Sequence, residues 1–237
     1  MSEDGIVRRR NLPHIDVAGK PFFITACLQG SISAKGLKRI RSYRDELAKR
    51  PRPEKYDQSQ WKTIQQKLTF KLVDSILDGE SPVTHLRDDR LAQVVEDAFF
   101  HFADQRYRLL AFVVMPSHHH WIFLPIENWE TTLMSKERSK QNPRTPREVI
   151  SHSVQSFTGT QCNRLLGISG QFWQWETFDH FARDDAETMR IIHYIEENPV
   201  VAGLAKRAED FRWSSAYWRK KLSIESGQPI PKPRVGN

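Results

Sequence analysis

The chain has only two cysteines, Cys27 and Cys162, in 237 residues. That excludes a disulfide framework and a cysteine-built zinc site, and it fits a reducing, cytoplasmic setting. Long apolar runs are missing too. The longest fall far short of the roughly 20 residues that a membrane span requires, so no membrane partner is expected. The opening MSEDGIVRRR contains no apolar signal-peptide core. No internal repeat is present.

Positive charge, in contrast, is in excess, with 36 Lys and Arg against 29 Asp and Glu and a sequence pI near 9.5. Such a surface suits a polyanionic partner. The basic residues are also clustered. Arg8, Arg9 and Arg10 form an N-terminal arm, residues 35–55 hold nine Lys and Arg against three Asp and Glu, and Arg219, Lys220 and Lys221 stand near the end. Clusters of this kind can track a phosphate backbone. The hydrophobic content of 38% is ordinary for a globular protein. The length suits one sizeable domain over 1–222, with 223–237 expected to be a disordered tail.

Hydrophobic spacing predicts the elements. PFFITACLQ (21–29), bounded by glycines, reads as a strand, and the basic stretch 35–53 as a helix stopped by its prolines. Trp61, Ile64, Leu68, Leu72 and Ile76 recur at helical intervals. Leu91, Val94, Val95, Ala98, Phe99 and Phe102 make a single apolar stripe over 88–104. RYRLLAFVVM (106–115) and HHWIFLP (119–125) read as a strand pair. Residues 127–144, polar and without a period, read as a flexible loop. Thr145, Pro146 and Glu148 supply an N-cap, a first-turn proline and a capping box for a helix to Leu166, where Gly167 stops it, with a weak point at Gly159. The aromatic-rich segment 170–184 holds a further strand. Asp184 and Glu187 then start a helix that Pro199 is expected to end. This order predicts an α+β fold, an antiparallel sheet with helices on one face.

Three consecutive histidines interrupt the apolar strand pair. Side chains alternate along a strand, so His118 and His120 project together while His119 points the other way. Two neutral imidazoles so placed form half of a metal site, and a third protein ligand is needed. The helix DDAETMRIIHYIEENPV offers one, because Tyr194 and Asn198 lie one turn apart on one face. An amide oxygen is an adequate ligand for magnesium or manganese. The plainer alternatives are histidines bonded to backbone, an amphipathic core tyrosine, and an asparagine that merely ends a helix before proline.

VVMPSHHHWIF and HYIEENPVVAGL together resemble the two signature segments of the REP-associated tyrosine transposases, members of the single-tyrosine HUH nucleases. The family pattern is Met-Pro-Asn-His-x-His, followed by Tyr-Ile-x-x-Asn-Pro-Val-x-x-Gly. RRNLPHID with PFFIT, QSFTGTQCNRLLG, FWQWETFDHFARD and FRWSSAYW also resemble it, in the family's order over roughly residues 8–218. The resemblance implies a ferredoxin-like antiparallel sheet, here with a helical basic insertion at 35–80. It implies a catalytic Tyr194, and a metal held by His118, His120 and Asn198. This chain departs from the pattern in two places: His119 stands where an apolar residue is usual, and Ser117 replaces the asparagine.

The same resemblance implies DNA strand cleavage and transfer, with Mg2+ or Mn2+ as cofactor. The substrate would be single-stranded DNA or a DNA hairpin of a palindromic repeat, acted on by a monomer or a homodimer. Tyr194 would form a 5′-phosphotyrosine that a second 3′-hydroxyl can reverse, storing the bond energy covalently. Arg8, Arg9, Arg10 and Arg183 are the expected phosphate contacts, and Trp173, Trp175 and Trp213 the candidates for base stacking. Two rivals stand beside this reading. One is a domesticated DNA binder without cleavage. The other is a metal-dependent hydrolase, which would want an Asp or Glu beside the histidines, and the nearest along the chain is Glu127.

Overall fold

The computed structural model describes residues 6–9, 13–175 and 177–233. Strands β1 (Ile6–Arg9) and β2 (Pro13–Asp16) form a two-stranded antiparallel ribbon. The main sheet contains β3 (Phe22–Cys27), β4 (Tyr107–Val114), β5 (His118–Pro125) and β6 (Phe178–Phe181) in the order β4-β5-β3-β6, every pair antiparallel. Between β3 and β4 run α1 (Ala34–Lys49), α2 (Gln58–Glu80) and α3 (Asp89–His101). Between β5 and β6 run α4 (Glu127–Glu137) and α5 (Pro146–Leu166), and α6 (Asp185–Val201) and α7 (Ser215–Leu222) follow β6. A sheet whose first strand lies between its third and fourth is the ferredoxin-like arrangement, so the expected α+β class and strand plan hold.

β5 is flanked by β4 and β3 and is buried almost throughout. Burial on both faces accounts for the unbroken apolar run Trp121–Pro125, in which residues of both faces are apolar. On the first face, Ile24, Phe112, Trp121 and Phe123 pack with Leu91, Val95 and Phe99 of α3 and with Ile150 and Val154 of α5. On the second, Phe23, Leu110, Ala111, Val113 and Ile122 pack with Ile192 and Ile195 of α6, joined by Phe70 of α2. A bulge between Leu109 and Ala111 turns both Leu110 and Ala111 to this side.

Several expectations change. Helices cover both faces of the sheet rather than one, because α2 and α6 pack on the second. Residues 127–137 of the expected loop form α4. Its buried positions include Glu130 and Glu137, which hydropathy cannot identify as inward-facing. Glu137 accepts hydrogen bonds from the Arg144 amide at 2.8 Å and from Lys140, and Glu130 from the Gly19 amide at 3.4 Å. α6 continues through Pro199 to Val201, since a proline this near the end removes a single helical bond. The Ala202 amide closes the last turn on the Asn198 carbonyl at 2.9 Å. Gly159 does not break α5, as Phe172 and Trp173 lie over it.

The tail expected to be disordered is packed as far as Ile230, which is buried and donates its amide to the Leu109 carbonyl at 2.8 Å. Arg219, buried and paired with Glu196 at 2.7 Å, also donates to the carbonyls of Glu225 and Gln228. No helix among the described residues is long and apolar enough to cross a membrane.

Candidate metal centre

The second face of the sheet carries the site. The corner at Pro116 and Ser117 is held from both sides, with the Leu86 amide on the Pro116 carbonyl at 3.1 Å and the Leu28 amide on the Ser117 carbonyl at 2.9 Å. β5 starts from it with His118 and His120 turned to the second face. Their Nε2 atoms are 3.0 Å apart, and both residues are wholly buried. Phe23 stacks on His120, and Phe70 and Tyr194 meet it edge-on. His119 lies on the first face as alternation requires, between Phe99 and Trp173. Among the described residues neither of its ring nitrogens has a hydrogen-bond partner.

The hydrogen-bond network sets how the His118 ring presents itself. Ser117 donates its hydroxyl proton to the Leu77 carbonyl at 3.1 Å, so its oxygen is left to accept from His118 Nδ1–H at 3.0 Å. His118 Nε2 then offers a bare lone pair to the centre, the form a metal ligand needs. Ser117, which stands where the family pattern has asparagine, therefore contacts a candidate ligand directly. His120 Nδ1 meets Thr25 Oγ1 at 2.7 Å across the β3–β5 register. Burial, with His120 beside it, holds the His118 imidazole down to about 3, so it is neutral at pH 7.

The carboxylate that completes the cluster comes from α2. Asp74 Oδ1 is 3.1 Å from His120 Nε2 and 3.7 Å from His118 Nε2, and one ligand atom from each of the three lies within 4.8 Å of the others. Asp78, one turn on, reaches 3.8 Å from His118 Nε2. Burial pushes the Asp74 carboxyl up, but His120, His118 and the Tyr194 hydroxyl outweigh it and hold it below the usual carboxylate range. Burial and the neighbouring Asp74 raise Asp78 to about 7.

Tyr194 donates its hydroxyl to Asp74 Oδ2, and Asn198 donates its side-chain amide to the same oxygen at 3.3 Å. Burial, then the Asp74 charge, raises the Tyr194 phenol above the ordinary tyrosine range. The structure thus brings together His118, His120, Tyr194 and Asn198. It also adds Asp74, which sequence reasoning missed.

The spacing of Trp61, Ile64, Leu68, Leu72 and Ile76 marks one apolar stripe on α2, half-buried except at the buried Ile76, and Asp74 lies opposite it. That opposite side packs inward as well, through the buried Asp74 and Leu77 and the half-buried Phe70. Apolar residues four before and three after an aspartate were the available signal.

Two buried imidazole nitrogens and a carboxylate oxygen suit a divalent cation. Asn198 Oδ1 is also buried and lacks a hydrogen-bond partner among the described residues, so it can serve as a further oxygen donor. The remaining sequence candidates stand elsewhere. Arg183 is ion-paired with Glu187 at 2.8 Å, and the same carboxylate takes His180 and Lys67. Arg8 and Arg9 lie on β1, but their side chains, and Arg10 altogether, lie outside the described residues. Of the three tryptophans, Trp173 is buried with its indole N–H on Thr158, Trp213 donates to Asp89, and Trp175 is 84% exposed.

No protein-family model matches the chain, and neither does any curated protein. Among solved structures, a REP-associated tyrosine transposase bound to a REP hairpin aligns over 100% of this chain and 93% of its own, at 16% identity and a TM-score of 0.49.

Proposed function

We propose that this centre cleaves and rejoins single-stranded or hairpin DNA, in the manner of the REP-associated tyrosine transposases, with Tyr194 as nucleophile. One observation carries the reading. The Tyr194 hydroxyl bonds to one oxygen of Asp74 while the other oxygen of that carboxylate lies 3.1 Å from His120. A nucleophile and a set of metal ligands therefore meet on a single side chain.

His118, His120 and Asp74 would hold Mg2+ or Mn2+, with the Asn198 side-chain oxygen as a further donor. The ion, when bound, supplies Lewis acidity that neutralises charge on the phosphate oxygens. The chain's own residues do the rest. Asp74 aligns the phenolic proton away from the face that attacks. Phe23 and Phe70 pack against Tyr194 and His120, backed by Phe178, and exclude water. The Tyr194 Oη–P bond forms as the bond from phosphorus to the 3′-oxygen breaks; the phenolic proton passes to the Asp74 carboxylate that already accepts it, and the departing 3′-oxygen takes up one proton to leave as a 3′-hydroxyl. A second 3′-hydroxyl reverses the step, so no external energy source is needed. Trp175, Arg183 and the Arg8–Arg10 arm would contact the strand around the site.

The test is incubation of the protein with a labelled, hairpin-bearing single strand and Mn2+, followed by denaturing electrophoresis. The expected result is a covalent adduct with the wild-type chain and none with Tyr194→Phe. The same strand annealed to its complement should stay intact. An adduct that persists in Tyr194→Phe overturns the assignment.

A metal-dependent hydrolase is the second reading, favoured by one observation. The acid it requires beside the histidines is supplied by Asp74 and Asp78, which Glu127 could not match from the far end of β5. Metal-dependent cleavage without an adduct, retained in Tyr194→Phe, would select it.

A further inference from the structure

α1 carries a concentration of cations that the cleavage chemistry does not use. Lys35, Lys38, Arg39, Arg41, Arg44, Lys49 and Arg50 are all exposed, whereas Gly36, Ile40 and Leu47 form the buried side. Arg50 is paired with Glu46. Lys35, Lys38, Arg41 and Arg44 form no ion pair among the described residues. The first turn of α1 contains no acidic residue, and its one cation, Lys35, sits where the helix macrodipole disfavours positive charge. Neither fold stability nor the cleavage reaction accounts for that placement.

The location of the helix is equally specific. A Cβ added to Gly36 would lie 3.1 Å from Ile76 of α2 and 3.0 Å from Ile32, so the two helices approach closely where α1 begins. Ile76 lies between Asp74 and Asp78, the residues that α2 turns the other way toward the histidines. Lys35, Lys38 and Arg39 line a groove with Tyr43 and with Leu72 of α2. The cationic end of α1 is thus about one helix-to-helix spacing, roughly 8–10 Å, beyond the helix that supplies the carboxylate.

We infer that the outer face of α1 is a nucleic-acid surface that holds the phosphates of the strand flanking the metal centre. It rests on the reading that this centre acts on single-stranded DNA. The charge is complementary to a phosphate backbone. Cations spread over three helical turns fit an extended polyanion better than they fit one small anion. The close Gly36–Ile76 contact joins this surface rigidly to the α2 turn that bears Asp74, so strand and site share a fixed relation.

The test uses the full chain and fluorescein-labelled dT20, with binding followed by anisotropy from 50 to 300 mM NaCl. The variant combines Lys35→Gln, Lys38→Gln, Arg41→Gln and Arg44→Gln. All four positions are exposed, and an unchanged melting temperature checks the fold. Four lost phosphate contacts at about 0.7 each should make the slope of log K against log salt shallower by about 3, with affinity at 100 mM down at least about 10-fold. Arg41→Lys with Arg44→Lys retains the charge and should keep the wild-type slope.

Unchanged affinity and slope in the glutamine variant overturn the inference, even if the wild-type chain forms the Tyr194 adduct. So does a loss confined to phosphatidylserine vesicles with dT20 binding intact, which would make α1 a membrane surface. A wild-type chain that forms no adduct, but whose salt slope still falls in the glutamine variant, refutes the cleavage reading and supports this one.

Discussion

The two faces of the sheet are built from alternate residues of the same strands, yet they do opposite things. On the first face, Trp121 and Phe123 of β5 stack with Phe99, Tyr107 and each other, and nearly every group there is apolar. On the second face, one residue out of step, His118 and His120 meet Asp74, Tyr194 and Asn198 within a ring of phenylalanines. A single-residue slip would exchange them, so the pleat itself separates an apolar core from one that gathers ionisable groups. The first face can be dry because it asks nothing of water. The second face keeps ionisable groups buried, and their cost is offset only where they satisfy one another.

The largest effect should follow from removing a ligand on the second face. His118→Ala or His120→Ala should reduce metal-dependent cleavage by at least about 100-fold in chain that circular dichroism at low temperature shows to be folded. A matching loss in a folded His119→Ala chain would dissolve the distinction between the faces.

Next in size is damage to the first face. Phe99→Ala should cost about 3–5 kcal/mol in urea unfolding, since the ring is fully buried among other aromatics. At low temperature the folded fraction should still bind Mn2+, which isothermal titration would show.

The pH dependence separates the faces through their histidines. His118 is held at about 3 by burial and by His120, against an ordinary 6.5, so the unfolded chain binds its proton first. Stability is therefore full above pH 6.5 and declines as pH falls from 6.5 toward 3. His119, lowered by its burial and by the flanking histidines, adds to the loss, while Asp78, raised to about 7, opposes it. Urea midpoints of the metal-free chain between pH 8 and 4 should fall steadily. A flat profile would contradict the buried neutral imidazoles.

The smallest effect should be a gain. His119→Leu replaces two unpartnered ring nitrogens on the first face with methyl groups and should stabilise by about 1–2 kcal/mol. Thermal unfolding would register it, with metal binding unchanged.

Much of this architecture is legible in the chain. Leu91, Val95 and Phe99 announce α3 by their spacing, and Thr145 with Glu148 forms the capping box that starts α5. His118 and His120 are assigned to one face by the period of a strand, and Tyr194 and Asn198 to one face by the period of a helix. Local geometry suffices for each of these. α4 was hidden because its inward positions include Glu130 and Glu137, whose hydrogen-bond partners lie outside the helix.

Sequence alone therefore determined the order of the four main-sheet strands and of α1, α2, α3, α5 and α6, the cationic surplus, and two half-sites, the histidine pair and the Tyr194–Asn198 turn. Tertiary structure alone decided that these halves meet at Asp74, 44 residues before His118 and 120 before Tyr194. It also decided that α2 is buried on two sides, with Ile76 against α1 and Asp74 toward the histidines. The physical reason is that periodicity records which residues of one element share a face. Which carboxylate becomes worth burying depends on the charges and donors that other elements bring to it.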